Sequence, residues 1–127
     1  MADAERLAGG QRFRPDDRLH HKRDFDRIHS AGIRLPGRHF TLIATPSSLE
    51  RSRLGVALGR KVGNAVVRNR ARRRLREVFR RQRGMLPGSF DVVVVGRPGI
   101  GSAPATSLEQ EFLERCARLT RLMKDRT

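Results

Sequence analysis

Cysteine is almost missing from this chain of 127 residues: Cys116 stands alone, so no intrachain disulfide can close the fold. In a reducing compartment a single thiol reads as a small buried apolar side chain. Long apolar runs are missing as well. No stretch of about 18 or more apolar residues occurs, which excludes a membrane-spanning helix. Met1-Ala2-Asp3-Ala4-Glu5 lacks the basic-then-apolar order of a secretory leader, and the expected location is the cytoplasm. His20, His21 and His39 read as exposed chain, and no Cys/His spacing fits zinc. Acidic residues number only 13 and do not gather. Asp3, Glu5, Asp16 and Asp17 fall in the N-terminal stretch, Asp24 and Asp26 flank Phe25, Asp91 stands by itself, and Glu109, Glu111 and Glu114 sit beside basic partners. A two-metal nuclease needs several carboxylates converging on one point. This distribution predicts neither a catalytic side chain nor a metal held by the polypeptide.

Positive charge is what the chain has in excess: 28 Lys and Arg against 13 Asp and Glu give a net charge of +15. Residues 51–83 carry +12 of it, with Glu77 the one acid among thirteen basic residues. Charge this dense repels itself and is tolerable in a fold only against water or a polyanion. The guanidinium fork matches phosphate geometry, so nucleic acid is the favoured partner and an anionic membrane a poorer one. The plain alternative is a solvated helix face carrying ordinary surface arginine.

The length fits one domain with a core of its own. Residues 1–18, polar and without apolar period, read as a flexible tail before a single domain over 19–125. A helix is predicted from about Lys22 to Ala31, with Phe25, Ile28 and His29 on one side and Gly32 as its stop. Ile33 to His39 allows a brief edge strand broken at Pro36-Gly37. Phe40 to Thr45 and Arg53 to Gly59 have strand composition. In the second, Leu54, Val56 and Leu58 point one way, and Gly55, Ala57 and Gly59 the other. A face of such small residues admits another backbone or a ligand.

Asn64 can cap a helix running to about Gln82, with Val67, Ala71, Leu75, Val78 and Phe79 as its apolar stripe. On its solvent side Arg68, Arg72 and Arg76 align at four-residue spacing, flanked by Arg73 and Arg80. Gly59 to Asn64 is either a plain turn or a phosphate cradle made by helix-start N–H groups, Gly63 and Asn64 among them, with Arg60 and Lys61. Phe90 to Val95 reads as a central strand covered on both faces. A last helix is predicted over about Ser107 to Lys124, opened by Thr106 with Glu109 or Ser107 with Gln110 as capping boxes. The fold class is α+β, an α/β sandwich of three helices on a sheet of about four strands.

The run Lys61-Val62-Gly63-Asn64-Ala65-Val66-Val67-Arg68-Asn69-Arg70 resembles the signature of the bacterial ribonuclease P protein component family, and the similarity extends over about Leu19 to Lys124. The resemblance implies a mixed sheet with a left-handed βαβ crossover around the basic helix. Its implied role is that of a protein subunit beside a catalytic RNA that matures the 5′ end of tRNA. It places Arg68, Asn69 and Arg70 on the helix that contacts the RNA subunit, and the charged face of the same helix adds Arg72, Arg73 and Arg76. It also implies a cleft for the single-stranded 5′ leader of precursor tRNA, to which Phe25, His29, Gly55, Ala57, Arg60 and Lys61 belong. Mg2+ would be held mainly by the RNA, and no obligate protein partner is expected. The ring of Phe25 is either a base-stacking platform or part of the core. His29 and Ile43 stand where the family often carries aromatics, which shifts weight from stacking to shape and charge. A general RNA-binding structural protein would share the charge without explaining the 61–70 run, and an autonomous nuclease is disfavoured by the scattered carboxylates.

Overall fold

The structure, a computed structural model, describes residues 13–125; most of the expected tail lies outside them. Helix α1 is Lys22–Ala31, α2 Ala65–Gln82 and α3 Ala105–Asp125; strands are β1 Ile33–Pro36, β2 Phe40–Pro46, β3 Arg53–Ala57 and β4 Phe90–Gly96. The sheet runs β1-β2-β4-β3. β1–β2 and β2–β4 are antiparallel, while β3 and β4 are parallel and joined through α2, so the βαβ unit encloses the basic helix.

Strand alternation sorts side chains into two cores. On one face Leu42, Ala44, Leu54, Val92 and Val94 pack with Ala71, Leu75, Val78 and Phe79 of α2 and Leu108, Phe112, Cys116 and Leu119 of α3. On the other, Ile43 and Val93 are sealed by Ile28 of α1 and by Leu19. The layers are therefore α1, the sheet, then α2 beside α3. Phe79 meets Phe112 edge-on, ring centroids 6.2 Å apart, which stitches the two helices together. Burial pushes the Cys116 thiol up to about 12, so it stays protonated and inert.

A buried carboxylate sits between sheet and helix. Asp91, 1 % exposed, accepts a two-pronged contact from Arg53 at 2.9 and 2.8 Å and a third bond from Arg27 of α1 at 3.0 Å. Burial alone would raise its pKa, but the two guanidiniums outweigh that and hold it below the ordinary aspartate value.

Several details depart from the sequence reading. Phe13 to Arg18, placed in the tail, are packed: Pro15–Asp17 form a 3-10 turn, and buried Asp17 pairs with Arg83 at 3.1 Å. Phe13 stacks edge-on against Phe79, and Leu19 donates its N–H to the Leu54 carbonyl at 2.8 Å. β3 ends at Ala57, before a 3-10 turn at Arg60–Val62. α3 begins at Ala105, because the Pro104 carbonyl already accepts the N–H groups of Ser107 and Leu108; Thr106 and Ser107 are thus helical and the expected capping boxes do not form. His39 is half-buried, not exposed. Its ring lies 3.0 Å from buried Glu111, which also accepts the N–H groups of His39 and Phe40 and so pins the start of β2 to α3.

Candidate RNA interface

The basic helix is started by its own sequence. Gly63 takes φ 147°, a conformation that side chains resist, and Asn64 follows as N-cap, accepting the Val67 N–H at 3.0 Å. Val62 is buried and anchors the turn, while Arg60 and Lys61 remain exposed at the end of β3. Nothing lies within 4 Å of the position a Gly59 side chain would take.

A helix turns about 100° per residue, so Arg68, Asn69 and Arg70 fan through about 200°. The three do not share a face. Arg70 leans the other way, toward α3's side, where its Nη2 approaches the Gly101 carbonyl at 3.4 Å; Arg74 joins it and bonds the Ala103 carbonyl at 2.7 Å. Arg68, Arg72 and Arg76 form the opposite flank, half-buried, with Asn69 and Arg73 exposed between the flanks. Asn69 accepts from Arg72 at 3.2 Å.

The Arg68–Arg76 flank is short of anions. Burial first, then the charges of Arg18 and Arg72, press the Arg76 pKa below its ordinary value. The Nε atoms of Arg18 and Arg68 are shut from solvent and have no partner among the described residues. Arg18 and Arg76 together line a cavity of about 120 Å³ at the outer edge of β3, closed on its other side by Phe25 and His20. α2 and α1 thus meet across that edge.

Over the α1 face, Gly55 does not leave the expected room for a ligand. A side chain there would lie 2.7 Å from the Phe25 ring, so glycine serves to let that ring close on the sheet. Phe25 is half-buried, both core and wall. The uncovered strip starts one pleat further on, where register aligns half-exposed Ala57, Val95 and Thr41 across three strands. Exposed His29 lies on α1 one turn beyond Phe25, its Nδ1 3.1 Å from the Phe25 carbonyl. Thr41, Val95 and Arg18 were not singled out from sequence. The hydroxyl of Thr41 is a sign of an open position, but the unbroken valine run of β4 gives none for Val95, and only strand pairing sets the two beside Ala57.

A mixed sheet with an arginine-rich helix on one face and an open polar-edged strip on the other defines a small basic RNA-binding protein of the α/β-sandwich class. The family profile named Ribonuclease P matches residues 13–120. A ribonuclease P protein component from Syntrophobacter fumaroxidans is 35% identical over 108 residues, covering 84% of this chain and 91% of that protein. One from Pseudomonas aeruginosa is 39% identical over 111 residues, covering 86% and 82%. The solved ribonuclease P protein of Thermotoga maritima superposes with a TM-score of 0.72 at 32% identity, covering 80% of this chain and 96% of that one. That of Staphylococcus aureus gives 0.70 at 26% identity, covering 81% and 94%. The chain belongs to the ribonuclease P protein component family. It is accordingly the protein part of a ribonucleoprotein endoribonuclease that acts in tRNA 5′ maturation.

Proposed function

We propose that the Arg68–Arg72–Arg76 flank of α2, with Asn69 and Arg73, grips the ribonuclease P RNA, and that the strip beside α1 receives the single-stranded 5′ leader of precursor tRNA. The observation that carries this reading is a row of half-buried guanidiniums held together with no anion paired to them among the described residues. Phosphate oxygens supply that missing charge and accept bidentate bonds. Arg70 and Arg74 brace the helix against the 100–103 loop and contribute to RNA binding mainly through position. Arg60 and Lys61, with the helix start at Gly63 and Asn64, hold leader phosphates where the strip ends. Phe25 offers its exposed ring edge, Ala57 the floor, and His29 the rim.

In this reading the RNA performs the chemistry in the cytoplasm and holds the Mg2+. The buried carboxylates of the polypeptide are engaged elsewhere: Asp91 by Arg53 and Arg27, Asp17 by Arg83, and Glu111 by backbone N–H groups. No group of His, Cys, Asp and Glu able to hold a metal forms among the described residues, and none of their helices is long and apolar enough to cross a membrane. The protein then lowers the repulsion between two RNAs and strengthens substrate binding.

The test is the salt dependence of binding to ribonuclease P RNA. Arg68→Ala with Arg72→Ala should flatten the log–log slope by about 1.4–1.8, two phosphate contacts at about 0.7–0.9 each. An unchanged slope would remove this flank from the interface.

A further inference from the structure

A second basic surface lies at the far edge of the sheet. There α3 packs beside β1, and a groove of about 380 Å³ opens between them, with Arg115, Arg118 and Arg121 on the helix side and Arg34 and Pro36 on the strand side. The floor is apolar, made by buried Leu35 and half-buried Leu122. Arg115 is fixed in place, its Nη1 donating to the Pro36 carbonyl. Arg34, Arg118 and Arg121 are exposed and have neither ion pair nor hydrogen bond among the described residues. Glu114 and Asp125, each four residues along the helix from Arg118 and Arg121 respectively, pair with none of them.

We infer that this groove is a second RNA-binding surface, which takes a stretch of ribonuclease P RNA backbone separate from the one on α2, because α3 packs beside α2 on the same face of the sheet. The three helix arginines follow one another every third residue, so they climb about 9 Å along the axis in an oblique row. A row of that form follows a chain of phosphates, and the planar forks suit its oxygens. The apolar floor suits the sugar side of the same chain. Four strands at about 4.8 Å spacing put β1 some 14 Å from β3, so one patch cannot substitute for the other. The protein is then a two-sided clamp, with RNA at both edges of its sheet.

The inference goes beyond the α2 reading and fails separately from it. Binding of the full chain would be measured against salt for three probes: ribonuclease P RNA alone, precursor tRNA alone, and a single-stranded leader oligonucleotide. Arg118→Ala with Arg121→Ala should flatten the slope by about 1.4–1.8 for ribonuclease P RNA, and a flattening seen only with precursor tRNA would overturn that occupant. R118K/R121K should restore most of the slope, and R118E/R121E should weaken binding more than the alanine pair; both hold even if alanine perturbs folding. Arg68→Ala with Arg72→Ala runs in parallel. If that pair weakens binding while all α3 variants match the unaltered protein on every probe, the second surface is refuted and the α2 interface stands. If the α3 variants lose affinity only for the leader oligonucleotide, the groove is not a site for folded RNA and the inference falls as well.

Discussion

Asp91 shows how one side chain can hold three elements together. It begins β4, receives Arg53 from β3, and draws Arg27 of α1 down onto the sheet. Asp91→Asn leaves Arg53 without its charge partner and Arg27 with only the longer ionic contact to Asp24 at 3.5 Å. Removing one partner of a buried pair costs about 3–5 kcal/mol, and the low end applies because both arginines reach solvent. Denaturant unfolding would read that loss. The pH dependence has a definite sign. A carboxylate held below its ordinary value stabilises the fold fully above the unfolded-state pKa, and that stabilisation disappears as pH falls through the folded one. The unaltered protein should therefore keep its stability at neutral pH and begin to lose this contribution only below about pH 4, while the Asn variant loses nothing there from this source. Phe25 is the second informative residue. Phe25→Ala should weaken binding of precursors with long leaders by about 1–3 kcal/mol more than binding of mature tRNA. Equal loss for the two RNAs would make Phe25 a packing residue only.

Elements with local signals were legible. α1 spans Lys22–Ala31 as read from Phe25, Ile28 and the Gly32 stop, because a 3.6-residue period and its terminator lie within one stretch of chain. The α2 stripe from Ala71 to Phe79 is buried as its spacing requires, and the Asn64 cap is formed. What depended on distant partners was not legible. Phe13 to Arg18 look like tail in sequence because their partners are Phe79, Arg83 and Leu54, which only the fold brings near. Gly55 reads as open space until α1 lays Phe25 over it. The 61–70 run marks the basic helix, but linear adjacency hides that Arg68 and Arg70 point to opposite flanks. That division predicts different variant behaviour. Arg70→Ala with Arg74→Ala should lower stability, on the order of 1 kcal/mol, through lost bonds to the Gly101 and Ala103 carbonyls. Arg68→Ala with Arg72→Ala should leave the thermal midpoint nearly unchanged and act on RNA affinity. Thermal melts beside binding curves separate the two pairs.

At the scale of the whole molecule, one sheet separates two kinds of work. Its α1 face leaves the Thr41–Val95–Ala57 strip uncovered, and its other face carries the basic helix α2 beside α3. A net charge of +15 keeps such a protein attracted to RNA from a distance and repelled from its own copies. In the proposed reading, charge and shape give the protein its binding role and the RNA cuts the bond. The most direct measurement is cleavage of precursor tRNA at low magnesium, with and without the ribonuclease P RNA, using protein shown to be free of contaminating nuclease. Cleavage is expected only when that RNA is present, and faster when the protein is added to it. Correct 5′ processing by the polypeptide alone would contradict that reading.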